Sequence, residues 1–272
     1  MSLTTEIWWD AGTSPFPFQP TSGVIDWGLA ATDSVAQVAD AIAWLGVHKD
    51  GGISVVSATG LQASVISTPG LEARWRSYRT IVDASAFSYR IDGNDCYVIT
   101  FGAGNETFVY DFITQLWHER SSYDTQAWRA NHGARFIDKQ IVGDREVGNI
   151  YTMSPDLYTE NGDFLVKTRR TPHIWNERKR FTVSALKIEM ETGVIQGPLE
   201  PSIQLRWSKD GGHVWSNWVT RPLGKIGEYS SDAVWRQIGL APTGDIMFDV
   251  QTSSDVKTVM IGASLEATPG TS

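Results

Sequence analysis

At 272 residues the chain is long enough to bury a substantial core, and with 41% hydrophobic and 20% charged residues it is far from the composition of a disordered protein. A formal net charge of −8 excludes broad electrostatic adhesion to nucleic acid, and a single cysteine, Cys96, excludes both an intrachain disulfide and a cysteine-based metal cluster. The fold must hold by packing, and 12 Trp beside 25 Gly suit short strands, tight turns and large aromatics between sheets rather than a helical bundle.

Near the N-terminus, Pro15, Pro17 and Pro20 stand among Trp8, Trp9, Phe16 and Phe18. That mixture disfavours regular structure and reads as a Pro/aromatic arm or partial strand over residues 1–22, ahead of one β-propeller-like domain over residues 23–272. The helical candidates are Asp33 to Ala43, with Asp33 or Ser34 as cap, and a turn over Pro69 to Trp75. Between them, Ala43 to Val47 and Ile53 to Val56 form a hairpin reversing at Asp50-Gly51.

The clearest unit runs from Ser88 to Arg120. Strand text at Tyr89 to Ile91, Cys96 to Phe101, Thr107 to Asp111 and Leu116 to Arg120 is separated by turns at Asp92-Gly93, Gly102 to Asn105 and Thr114-Gln115. Val109-Tyr110-Asp111 through Thr114 to Trp117 follows the V-Y-D-x-x-T-x-x-W cadence of Kelch-like blades, in which Asp and Thr cap the turn and Trp packs between blades. A third set follows at Arg135 to Ile137, Gln140 to Gly143 and Asn149 to Thr152. Later strand text lies at Thr182 to Glu191, Ser202 to Ser208 and Ile246 to Ile261. Units recurring at roughly 35 to 50 residues make about five or six blades of short antiparallel strands, an all-β fold with little helix.

Ser208, Asp210, Gly212 and Trp215 fit the Asp-box pattern S-x-D-x-G-x-x-W. Its chemistry is structural: the carboxylate satisfies backbone N–H groups of a tight turn, Gly accepts positive φ, and Trp folds back onto the sheet. Sialidases carry the same pattern, so a glycosidase is the enzymatic rival. It would need converging carboxylates or arginines, for which Arg74, Arg76, Arg79, Arg129 and Arg135 are the available set. His48, His118, His132, His173 and His213 lack ligand spacing, no G-x-S-x-G elbow occurs, and the glycine-rich segments lack a phosphate-loop ending. No catalytic, cofactor or metal site is expected. Cys96 sits in an apolar run as a buried thiol. Trp8, Trp9, Trp117 and Trp218 are candidates for blade packing first, subunit-interface anchors second and sugar platforms third. The run Lys167, Arg169, Arg170, Arg178, Lys179 and Arg180 reads as a solvated strand pair and loop, or as a local DNA-facing patch. No apolar stretch approaches the roughly 20 residues of a membrane span, and the N-terminus lacks signal-peptide order, so the chain is expected to be soluble and made in the cytoplasm.

Several phrases in one order resemble a known family. They are Leu186 to Gly193, Leu205 to Gly212, Pro222-Leu223-Gly224, Gly227-Glu228-Tyr229, Val234 to Gly239 and Ile261 to Ala267, with Ser67 to Glu72 and Tyr110 to Trp117 upstream. Together they resemble the packaged-DNA stabilisation, or tail accessory (head completion), family of short-tailed bacteriophages. The resemblance implies a β-propeller subunit of the virion tail below the portal, forming a homo-oligomeric ring. That ring would help seal packaged DNA and offer docking surface to portal and other tail proteins. A ring needs two complementary faces on each subunit, and an acidic lumen would let DNA pass without adhering. The alternative reading is a carbohydrate-binding propeller, a lectin or tail adhesin, with a sialidase-like glycosidase behind it.

Overall fold

The computed structural model describes residues 3–192, 200–228 and 232–270. Gly193 and Tyr229, two of the residues carrying the resemblance, lie outside the described residues. The chain is almost entirely β and divides into two compact units, residues 1–155 and 156–272. The sequence reading draws its boundary at 22/23. The observed division falls at 155/156, and the apolar clusters explain why: three are built from the first unit alone and one from the second alone.

In the first unit, β1 (Thr5–Asp10) and β2 (Phe18–Ile25) form an antiparallel two-stranded ribbon with a bulge between Glu6 and Trp8. Pro20 is tolerated within β2 because, on an edge strand, its missing N–H faces away from the ladder. Next, β3 (Gly28–Leu29) and β4 (Ala36–Val38) both pair with β5 (Ala41–Val47), which continues to β6 (Ile53–Thr59) and β7 (Gln62–Val65). The helix expected over Asp33 to Ala43 is therefore absent. Only Thr32–Ser34 forms a 3-10 turn. Ser34 is fully buried rather than capping: its hydroxyl donates to the Ala31 carbonyl (2.7 Å) and accepts the Leu45 N–H (3.0 Å), tying the loop to β5. Ala39, at φ +50°, then reverses the chain between β4 and β5.

The short helix α1 (Pro69–Arg76) lies where the sequence places it, with Pro69 at its first turn and Trp75 buried at its end. Strands β8 (Ser85–Ile91), β9 (Asn94–Phe101), β10 (Glu106–Asp111) and β11 (Leu116–Arg120) form one four-stranded sheet in the order β11-β10-β9-β8. The blade read from Ser88 to Arg120 is thus present. Its turns follow from residue chemistry: Asp92 and Gly93 both take positive φ (+50° and +84°), which a two-residue hairpin requires. Asp111 Oδ1 accepts the N–H groups of Ile113 (2.8 Å) and Thr114 (3.4 Å). Strands β12 (Ala130–Phe136), β13 (Lys139–Asp144) and β14 (Ile150–Met153) complete the unit as a three-stranded sheet.

The second unit opens with a small ladder, β15 (Thr159–Glu160) with β16 (Asp163–Phe164). Strands β17 (Lys167–Arg170), β18 (Ile174–Trp175), β19 (Phe181–Met190), β20 (Ser202–Ser208), β21 (Val219–Pro222), β22 (Ala233–Ala241), β23 (Asp245–Thr252) and β24 (Met260–Pro269) follow. The sequence reads this text as further blades; it makes two sheets closing on one core. One sheet has the order β17-β23-β20-β21, with β18 also on β23; the other is β22-β19-β24. Alternate residues Ile203 and Leu205 of β20 and Ile246, Phe248 and Val250 of β23 meet Phe181, Val183, Leu186, Ile188 and Trp235 from the opposite sheet. The strand text Ile246 to Ile261 is broken at residues 253–259, so β23 and β24 enter different sheets.

Candidate functional site

The β1–β2 ribbon carries a cluster of aromatics in solvent. Trp8, Trp9, Phe16 and Phe18 are 47%, 53%, 59% and 47% exposed. Trp8 meets Phe16 edge-on at 6.1 Å between centroids, Phe16 meets Phe18 at 5.8 Å, and the Trp8 indole N–H donates to Glu6. The base of the ribbon is anchored: Ile7 packs against Ile25, Trp44, Val56 and Ala58, and the Thr5 hydroxyl donates to the Trp27 carbonyl (2.7 Å). Because neighbouring side chains of a strand point to opposite faces, Trp8 and Trp9 make both faces of the ribbon aromatic.

Trp117 has a different environment. It is half-buried on β11, its indole N–H donates to the Ile66 carbonyl (2.7 Å), and its ring packs edge-on to Trp75 and tilted against Tyr110. Beside it, Arg74 of α1 pairs with Glu106 (2.5 Å) and Glu119 (2.7 Å), and the Tyr78 hydroxyl donates to Glu106. Burial, reinforced by that bond to Glu106, pushes the Tyr78 phenol well above its ordinary range. A Tyr, a Glu and an Arg thus meet here, but as a buttress joining α1 to β10 and β11.

In the second unit, residues 208–215 form a turn after β20. Asp210 Oδ1 accepts the N–H groups of Val214 (2.9 Å) and His213 (3.1 Å) and the Ser208 hydroxyl (2.7 Å), which hold its carboxyl below the usual carboxylate range. Ser208 Oγ also accepts the Gly212 N–H (2.9 Å), and Gly211 and Gly212 take φ of +75° and +92°. The Trp215 indole donates to the Gly212 carbonyl (2.9 Å).

Trp215 lies against a charged row on the outer face of the five-stranded sheet. Asp249 of β23 is fully buried, and its Oδ2 accepts Arg170 of β17 (3.0 Å) and Arg206 of β20 (2.7 Å). Strand register makes the row: Arg170 and Arg206 both stand opposite Asp249. Both guanidinium groups stack on the Trp215 ring (4.7 and 4.9 Å), and Arg206 also covers Trp218 (4.5 Å). Trp218 is half-buried in this stack.

Four of the five arginines considered for a glycosidase have separate surroundings. Arg74 serves Glu106 and Glu119, Arg76 pairs with Glu72, and Arg129 pairs with Asp144 (2.6 Å). Arg135 lines a shallow groove of about 280 Å³ with Arg90, Asp92, Asp138 and Gln140. Of the basic run, Arg170 is held by Asp249, Lys179 by Glu177, and the Lys167 ammonium by Val256 and Thr258, while Arg169 is exposed. The Asp249 row and the Tyr78–Glu106 bond were not singled out from sequence, since their members lie 43 and 28 residues apart with no local signature.

Two families match, described as bacteriophage P22 Gp10, beta-propeller, over residues 2–158, and bacteriophage P22 Gp10, beta-sandwich, over residues 168–268. Their boundary agrees with the division at 155/156 and with the two-sheet packing of the second unit. No curated protein matches the chain. Among solved structures, an exo-beta-1,3-galactanase from Phanerochaete chrysosporium is 11% identical at a TM-score of 0.22, aligned over 97% of this chain and 62% of its own. Carbohydrate-binding modules of the beta-sandwich superfamily are 11% identical at a TM-score of 0.20, over 67% of this chain and 95% of theirs. The chain spans less than two thirds of the galactanase, and likenesses this low carry no argument about function.

Proposed function

Because the chain belongs to the bacteriophage P22 Gp10 family of phage structural proteins, we propose that it works in the virion tail below the portal, as a ring that helps seal packaged DNA and docks tail components. The observation carrying this reading is that the propeller and sandwich families match in series over nearly the whole chain. The exposed aromatic ribbon supports it: large rings in solvent on an anchored two-stranded element are suited to burial by a portal or neighbouring tail protein. The net charge of −8 suits a lumen that repels rather than grips DNA. On this reading the protein acts by assembly and turns over no substrate.

The test is genome retention. Phage particles assembled without the protein should package DNA and then lose it, read as nuclease-sensitive genome, and adding the purified protein should restore protection. Full retention without it overturns the sealing role. Light scattering of the protein alone and with a portal-side partner reads the ring directly, and a persistent monomer in both conditions overturns that part. The carbohydrate-binding reading rests on Trp218 and Trp215 beside the Arg206–Asp249 row, and glycan-dependent association abolished by Trp218→Ala would favour it.

A further inference from the structure

The row built on Asp249 is more than the outer face of a sheet needs in order to fold. Asp249 is fully buried, yet both guanidinium groups use its Oδ2, and Oδ1 is buried without a partner among the described residues. A buried carboxylate with an orphaned oxygen contributes little stability, so its presence calls for another reason. What Asp249 does is hold Arg170 in place. That side chain is 52% exposed, gives only Nη2 to Asp249 and lies on the Trp215 ring. Its Nε and Nη1 groups have no acceptor among the described residues and are open to water.

A second row runs beside the first. Thr168, Gln251, Gln204 and Thr220 stand opposite one another across β17, β23, β20 and β21. They share the face of Arg170, Asp249 and Arg206, two residues or about 7 Å along the strands. The two amides are half-buried and the two threonines exposed. The Gln251 side chain makes no hydrogen bond among the described residues, and Gln204 makes one long bond, from Nε2 to Thr220 Oγ1 at 3.4 Å.

These two rows ask for different parts of one ligand. Amides and hydroxyls that both donate and accept, beside the Trp218 indole, suit a ring rich in hydroxyl groups. A guanidinium with open N–H groups, already ordered by a carboxylate and an aromatic face, suits an anion. Two guanidinium groups against one carboxylate leave this row one positive charge over, within a chain of net charge −8. One spare charge matches an anionic substituent rather than a nucleic-acid backbone, which needs cations spaced along its length. We infer that this face binds an acidic saccharide, its carboxylate or phosphate on Arg170 and its hydroxyls on Gln251, Gln204, Thr168 and Thr220. The inference rests on the carbohydrate-binding reading of the same row and is independent of the ring.

Titration calorimetry of the full chain tests it with oligogalacturonate and its methyl ester, which differ in the charge of the carboxyl group. A phosphomannan oligosaccharide beside its dephosphorylated form separates phosphate from carboxylate as the anion. At least one acidic form should bind at least tenfold more tightly than its neutral counterpart. Arg170→Gln should abolish that preference, and Gln251→Ala should weaken binding of the acidic form at least threefold. Because the Gln251 amide holds nothing in the fold, its variant keeps the wild-type unfolding midpoint and carries the test if Arg170→Gln unfolds. Equal binding of acidic and neutral forms overturns the inference and leaves the carbohydrate-binding reading standing. No binding by any of the four sugars overturns both. A single-stranded oligonucleotide bound as tightly as the acidic sugars overturns the saccharide as ligand.

Discussion

The central blade and the N-terminal ribbon use the same residue types in opposite ways. In the blade, Trp75, Phe101 and Phe108 are buried to within 1% of completely and meet at 5.3 to 6.1 Å, with Trp117 and Tyr110 closing the cluster. In the ribbon, Trp8, Phe16 and Phe18 meet at much the same spacing, yet about half of each ring faces water. Ring-to-ring geometry is therefore no guide to what an aromatic cluster does here. The number of sheets closing over it is: α1 and the β8–β11 sheet enclose the first, whereas a ribbon of two strands has nothing to enclose the second with.

The sharpest break of that comparison is Trp75→Ala. Removing a fully buried indole should cost about 3–5 kcal/mol, read as a lower urea midpoint for the first unit. Trp75→Phe sharpens it. The indole N–H of Trp75 is buried without a partner among the described residues, so replacement by an apolar ring forfeits volume but no hydrogen bond and should cost less than half as much.

A middle-sized effect comes from the wall of the same cluster. A Cβ at Gly104 would lie 2.6 Å from the Tyr78 ring, which also packs on Phe101 and is tied to Glu106. Gly104→Ala should therefore cost about 1–3 kcal/mol by overpacking, and combining it with Tyr78→Ala should recover part of that loss in a double-mutant cycle.

These residues mark how far the sequence can be read. Turns were legible because their chemistry is local: Asp92-Gly93, Asp50-Gly51 and Asp111 announce positive φ or a side-chain cap within three or four residues. Strand text was legible for the same reason, and the blade from β8 to β11 follows it closely. The failure over Asp33 to Ala43 came from a short polar-capped run that imitates a helix start, while the deciding interactions, Ser34 with Leu45 and β4 with β5, are tertiary. How the later strands are shared between two facing sheets is also non-local, since β19 takes partners about 50 and 80 residues further on. Of the four Trp candidates, sequence could not separate Trp117, held by Ile66 51 residues away, from Trp8 and Trp9, which stay about half exposed.

A smaller effect is expected at the 208–215 turn. The Asp210 carboxyl is held below its ordinary value of 3.8, so the turn's stabilisation is fully present above that value and is lost as pH falls through the depressed one. Acid titration should therefore move the Val214 amide resonance through a step that lies below about pH 4. Asp210→Asn should remove that acid transition while the cores of both units stay folded.

The smallest effect on stability, and the one that decides the comparison, is the double variant Trp8→Ala/Trp9→Ala. With both rings about half exposed and the ribbon anchored through Ile7 and Thr5 instead, the urea midpoint should move by no more than about 0.5 kcal/mol. Association with a portal-side or tail partner should fall at least tenfold, because exposed aromatics that contribute little to the fold are the ones a partner can desolvate. A large loss of stability with association unchanged would make the ribbon a piece of the propeller core after all. A loss of association alone would separate the two aromatic clusters by role, one holding the unit together and the other holding it to its neighbours.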